Sequence, residues 1–250
     1  MGRREVRRGG GGERMPYIDF EELLRGIDPG SVFWKRNSDG TRALAELVWK
    51  LRNKLFEYDT LLSDDASGRI PTLFLREMAV QMRKNSKDTK REAPNTYFVS
   101  GGRHGMQHVF NSVANFIKSK PHIGKTLLVT EFISSGRSIL ELIKILEQEG
   151  INFDVAAPSV EERPEYYSPA LTKRMIYGAI GSQGLAFYDQ AHYGGTTKSM
   201  NRTSAHPTPI KDRYDAESQK EEIQLHVNTT RKEISVIADR LCQMLFEAKK

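Results

Sequence analysis

Cysteine occurs once in these 250 residues, at Cys242, so neither an intramolecular disulfide nor a cysteine-built metal site can form. No apolar run approaches the roughly 20 residues needed to cross a bilayer, and no apolar signal core opens the chain. A reducing, cytoplasmic setting without a membrane partner is therefore expected. There is no internal repeat, no Gly-x-x-x-x-Gly-Lys-Ser loop, no Gly-x-Ser-x-Gly elbow and no paired zinc signature. Histidines 104, 108, 122, 192, 206 and 226 show no metal-ligand spacing. These absences argue against P-loop kinases, serine hydrolases and zinc enzymes.

What remains is a polar globular chain, 38% hydrophobic and 28% charged, long enough for one full α/β domain with appendages. Part of the +6 net charge lies in "MGRREVRRGGGGERM", where five arginines flank a glycine run. Residues 1–15 cannot bury apolar surface and are expected to form a disordered tail. Without aromatics interleaved on basic strands, that tail alone argues for nucleic acid, which is disfavoured as a partner.

The pattern from residue 41 onwards is repetitive in kind. "TRALAELVWKLRNKLF" places Leu44, Leu47, Val48, Leu51 and Leu55 on one helical face after the start signal Ser38-Asp39-Gly40. "DTLLS" reads as a strand, "DDASGRIP" as a loop and "TLFLREMAVQMRK" as a helix. After a polar loop from Asn85 to Asn95, "TYFVS" is a strand, "GGRHG" a turn and "MQHVFNSVANFIKS" a helix. "TLLVT" and "LELIKIL" repeat the theme, and "NFDVAAPS" is a further strand. Strand–turn–helix three times over predicts an α/β fold: a parallel central sheet flanked by crossover helices. Ligands bind at the carboxyl ends of such strands. The expected organisation is a core over 16–160, an irregular hood over 161–215 and a C-terminal helical segment over 216–250. Within the hood, "RMIYGAI" and "LAFYDQAHY" read as strands of a small hairpin, and Ser199 to Glu217 as loop. "TTRKEISVIADRLCQMLFEAKK" closes the chain as a helix with Ile234, Ile237, Leu241 and Leu245 aligned. That apolar stripe suits core packing, the commoner use, or a homodimer or larger assembly.

One stretch carries chemistry. In "TLLVTEFISSGRSILELIKIL" a buried strand ends at a lone acid, Glu131, and Ser134-Ser135-Gly136-Arg137-Ser138 follows before a helix. The first amides of a helix lack intrahelical partners and sit in positive potential. Glycine admits a close approach and serine adds donors, so a phosphomonoester fits there. Glu131 would accept hydrogen bonds from the vicinal hydroxyls of its sugar. An ordinary helix cap uses the same residue types, and spacing alone leaves both readings open.

"LLVTEFISSGRSI" resembles the ribose-phosphate signature of type I phosphoribosyltransferases, with Thr130 and Glu131 at its acid pair, Phe132 and Ile133 as spacer and Ser134 to Ser138 as phosphate loop. The likeness covers roughly residues 42 to 160. It implies phosphoribosyl pyrophosphate or a nucleoside monophosphate as ligand, Mg²⁺ carried with the pyrophosphate, and glycosyl transfer at C1′. It further implies ribose contacts from Thr130 and Glu131, and pyrophosphate contacts from Ser67, Gly68 and Arg69 in "DDASGRIP". Arg103 and His104 of "FVSGGRHG" would supply catalytic cations of a loop over the site. Asp64 and Asp65 would reach the metal through water, and Tyr188 and Asp189 would meet the base.

Two positions depart from the pattern. Thr130 replaces the first acid and brings a hydroxyl without charge, at a cost of about 1.5–3 kcal/mol for a charge-assisted contact. Ser134 stands where purine-salvage members carry a carboxylate for the base, which disfavours hypoxanthine–guanine salvage. Two functions follow: a phosphoribosyltransferase, or a catalytically impaired nucleotide-binding regulatory subunit of a larger assembly.

Overall fold

The computed structural model describes residues 15–34, 38–64, 68–86, 92–99, 107–120, 122–181, 194–197 and 208–246. A central sheet is built from β1 (Thr60–Asp64), β2 (Asn95–Val99), β3 (Thr126–Val129), the short β4 (Phe132–Ile133), β5 (Phe153–Val160) and β6 (Met175–Ile180). Every pairing in it is parallel. The strands run β2-β1-β3-β5, with β4 and β6 both on β5. The helices are α1 (Phe20–Leu23), α2 (Ser38–Leu51), α3 (Arg69–Ser86), α4 (Gln107–Lys118), α5 (Arg137–Gln148), α6 (Pro169–Thr172) and α7 (Glu217–Phe246).

Side-chain alternation divides the core into two layers. Leu61, Leu127, Val129 and Ala156 face a cluster with α2, α3 and α7. Leu62, Leu128, Val155 and Ala157 face α4 and α5. Parallel strands covered on both faces read as continuous apolar runs, as "TLLV" does. The chain moves outward from β1 to β2 through α3 on one face. It then returns past β1 to β3 and on to β5 through α4 and α5 on the other. A single crossover hand requires that change of face. The strand order reverses between β1 and β3, which makes their carboxyl ends the place for a ligand.

The α5 face shows how local sequence selects an element. Ile139, Leu142, Ile143 and Leu146 recur at helical spacing and are buried. Each is worth about 1.5–3 kcal/mol on leaving water, so a charge at Leu142 would detach the helix.

Three expectations are corrected. "RMIYGAI" belongs to the main sheet and not to a separate small subdomain: Met175–Ile180 lies parallel to β5 and extends it. Its supposed partner, 185–193, lies outside the described residues. The stretch read as loop from Ser199 to Glu217 contains β8 (Thr208–Pro209), antiparallel to β7 (Thr196–Thr197), and a 3-10 turn at Ile210–Arg213. The last helix begins at Glu217, twelve residues before the expected Thr229. Its early part buries only Ile223 and Val227, against Ile210 and Tyr214 in a small separate cluster, so its apolar signal is sparse. Further along, Ile234, Ile237, Leu241 and Leu245 pack into the main core, the commoner of the two uses expected for that stripe.

Candidate functional site

The site is built where β1 and β3 end. Asp64, expected in a loop, is the last residue of β1 and is 3% exposed. Gly68 then starts the ascent into α3, its N–H donating to the Asp64 carbonyl at 2.8 Å. A Cβ at Gly68 would lie 2.4 Å from the Val129 carbonyl oxygen and 2.9 Å from both the Asp64 carbonyl oxygen and Ser63 Oγ. Only glycine allows α3 to begin that close to the end of β3. Thr72 secures the same turn, its hydroxyl donating to the Gly68 carbonyl at 2.6 Å.

On the facing strand, Thr130 and Glu131 follow Val129 and interrupt the ladder. Phe132 meets Ser159 in the register that pairs Val129 with Ala156. Thus β3 and β4 are two lengths of one line, parted at Thr130–Glu131. In this register Glu131 stands opposite Pro158 of β5. Proline has no N–H to give the ladder, which accounts for a break inside a central strand. Thr130 still donates from its backbone to Ala156 at 3.0 Å. Both side chains are buried, Thr130 at 4% and Glu131 at 0% exposure. The acid expected to grip a diol therefore faces no open solvent, although it occupies the expected strand end.

Arg69 is the first residue of α3. Its guanidinium lies over the Phe98 ring of β2, 4.2 Å from the centroid, and Nη1 donates to Thr196 Oγ1 at 3.3 Å. The cation expected to meet pyrophosphate is thus at the switch point and engaged by two neighbouring elements.

The turn expected to hold phosphate sits one step further on, beyond β4. Gly136 has φ +73° and is the N-cap of α5. Ser135 Oγ accepts from the Arg137 N–H at 3.5 Å, a weak local cap. Ser135 and Arg137 are exposed, and Ser138 is half-buried. Ser134 is occupied in a way the sequence did not disclose: its hydroxyl donates to the Glu161 carboxylate. The backbone sets that meeting, because Glu161 N–H donates to the Ile133 carbonyl at 2.9 Å. Tyr167 braces it, donating to Ile133 O at 2.9 Å and accepting from Glu162 N–H at 3.0 Å. An acid beside the turn expected to take phosphate would oppose an incoming phosphoryl group.

Asp65, Ser67, Arg103, His104, Tyr188 and Asp189 lie outside the described residues. Among the described residues no group of three His, Cys, Asp or Glu is placed to hold a metal ion, and no helix is long and apolar enough to cross a membrane.

No protein-family model, curated protein or solved structure matches this chain. The functional reading rests on its own residues.

A cleft of about 680 Å³ opens at the opposite, amino edge of the sheet, lined in part by Phe56, Tyr58, Arg83, Glu92 and His122. None of the residues singled out from the sequence borders it. Its walls carry ties that join the starts of β1 and β3. Asp59 accepts from Lys125 N–H at 2.8 Å, and the Lys125 ammonium pairs with Glu57 at 2.6 Å. Crevices at the carboxyl edge are where this architecture binds ligands, so this cleft at the amino edge is not the better candidate.

Proposed function

We propose that the carboxyl edge at the β1–β3 junction binds a phosphorylated ribosyl compound, phosphoribosyl pyrophosphate or a nucleoside monophosphate. The reaction proposed with it is transfer of the phosphoribosyl group to or from a nucleobase-type acceptor, as the resemblance to type I phosphoribosyltransferases implies. The observation that supports this reading best is the glycine-backed junction. Gly68 brings the start of α3 against the end of β3, so Asp64, Arg69, Thr130 and Glu131 converge where the strand order reverses.

In this reading the fully buried Glu131 is uncovered as the ligand enters, accepts from the ribose diol and supports positive charge on the ring as C1′ becomes oxocarbenium-like. Ser135, Gly136, Arg137 and Ser138 take the 5′-phosphate. Arg69 meets the pyrophosphate as the C1′–O bond breaks, a C1′–N bond forms and the acceptor nitrogen loses its proton. Mg²⁺ would supply charge neutralisation on the leaving group. The protein offers it the Asp64 carboxylate, which suits a cation that keeps several of its waters.

A second reading, a nucleotide-binding regulatory subunit with little turnover, is favoured by one contact. The Ser134–Glu161 pair holds a negative charge at the phosphate turn, and Thr130 adds no second acid. Calorimetry with phosphoribosyl pyrophosphate and Mg²⁺, and with nucleoside monophosphates, tests the shared binding claim. Glu131→Gln, which keeps the side chain's shape, is expected to weaken binding about tenfold or more, the worth of a charge-assisted hydrogen bond. Undiminished affinity, or no binding by the native chain, sinks the site. Pyrophosphate release over a nucleobase panel then divides transferase from regulatory subunit.

A further inference from the structure

We infer that Thr196 is a positioning residue that holds the Arg69 guanidinium at the carboxyl edge for the pyrophosphate of an incoming ligand. This rests on the reading just given, and it names a residue outside the phosphoribosyltransferase-like motifs.

Contacts with Phe98 and Thr196 restrain the guanidinium. Its central carbon lies over the Phe98 ring, 4.2 Å from the centroid. Stacking constrains the plane and leaves the N–H groups at its rim for hydrogen bonding. Thr196 Oγ1 then accepts from Nη1 at 3.3 Å, which fixes rotation within that plane. A guanidinium carries five donors, so a bond to Thr196 is compatible with contacts to a ligand oxygen. Losing the threonine would leave the ring contact and remove one restraint on the fork.

Thr196 is itself well placed to act as a fixed point, because it is 7% exposed. It pairs with Pro209 in the small antiparallel sheet. The preceding Gly195 has φ +73° and sits against α7, where a Cβ would lie 2.7 Å from Val227 Cγ2. Ile210 N–H donates to the Gly195 carbonyl at 3.1 Å. Ile210, Ile223 and Val227 form the cluster beneath this corner. A connected line of packing thus runs from the early turns of α7 through Gly195 and Thr196 to Arg69.

Calorimetry of the full chain tests this with Thr196→Val, which removes the hydroxyl at nearly constant shape, and Thr196→Ser, which keeps it. Thr196→Val is expected to weaken phosphoribosyl pyrophosphate–Mg²⁺ binding about two- to tenfold, the range of one net hydrogen bond. Thr196→Ser should restore it, and nucleoside monophosphate affinity, which needs no pyrophosphate contact, should not move in either. In an Arg69→Lys background Thr196→Val should add no further loss. Unchanged pyrophosphate-ligand affinity in Thr196→Val overturns the inference and leaves the site standing. Equal losses for both ligands also overturn it, marking Thr196 as merely structural. If the native chain binds neither ligand, the inference falls together with the site.

Discussion

Replacing Gly68 by alanine puts the proposed geometry under the most direct strain. The new methyl would sit 2.4 Å from the Val129 carbonyl oxygen and 2.9 Å from that of Asp64. Both are backbone atoms, one fixed in β3 and one ending β1, so neither can rotate aside. Overpacking of this kind costs about 1–3 kcal/mol. Loosening the 2.8 Å bond from Gly68 N–H to Asp64 costs roughly 1 kcal/mol more. The reduced entropy of the unfolded alanine chain offsets about 0.4–1 kcal/mol. The net loss is about 1–3.6 kcal/mol. At roughly 2–4 °C per kcal/mol for a chain of this size, Tm should fall by about 2–14 °C. Urea unfolding should show a lower midpoint at unchanged slope. Gly150→Ala is the comparator: its φ is +67° with nothing within 4 Å, so it carries only the left-handed strain of about 1–2 kcal/mol. Because Arg69 follows Gly68 directly, the alanine variant should also lose affinity for phosphoribosyl pyrophosphate, whereas Gly150→Ala should not. A Gly68→Ala chain as stable as the native one, with native ligand affinity, would refute the close approach of α3 to β3.

Glu161→Gln should remove the charge facing the phosphate turn while leaving a partner for Ser134, so nucleoside monophosphate affinity is expected to rise about tenfold by calorimetry; a fall would show that the acid belongs to the site. Burial pushes the Glu233 carboxyl above its ordinary value of 4.5; Asp28 adds to the rise and the Ser31 hydrogen bond opposes it. A raised carboxyl leaves the fold most stable while it is protonated, with stability lost as pH climbs from about 4.5 through the folded value. Glu233→Gln should therefore gain on the native chain between pH 4 and pH 7 in urea titrations, and a constant difference would contradict the shift. Lys50→Met takes an ammonium from the Tyr177 and Gly178 carbonyls, which it reaches at 2.6 and 2.9 Å; a loss of about 1–3 kcal/mol is expected, with an unchanged midpoint counting against these bonds.

Where a continuous apolar run or helical spacing was unbroken, the residues disclosed their structure. "TLLV" became β3 because a strand buried on both faces needs apolar side chains throughout, and "LELIKIL" became α5 because its apolar side chains share one face. Edge and satellite elements were not legible in this way. Met175–Ile180 is only partly covered along its length, and a partly covered strand of the main sheet then has the same pattern as a hairpin strand. Glu217–Asn228 is mostly polar, and its helical state depends on Ile223 and Val227 meeting Ile210 and Tyr214 from the preceding turn. At the site, the strand-end acid and the turn glycine could be read from their neighbours. The partners of Arg69 and Ser134 could not: Thr196 and Glu161 are brought in by tertiary folding, and no local spacing announces them. Pro158 was visible all along, yet its effect on Glu131 depends on register, which a sequence does not display.

The 30 residues of α7 span about 45 Å at 1.5 Å per residue. The helix travels alongside α3, with Val227 beside the Gly195 corner and Ser235 reaching Glu77 at 3.2 Å. Its later turns are rooted in the main core, whereas its first turns lean on three buried aliphatic side chains. Such a rod can melt from one end, and the end that melts is the one supporting the arginine clamp. Amide exchange should therefore be quick over Glu217–Asn228 and slow over Ile234–Leu245, with a pyrophosphate ligand slowing the former. Recognition at the sheet edge would then be tuned by how tightly the distal coil of a helix is wound.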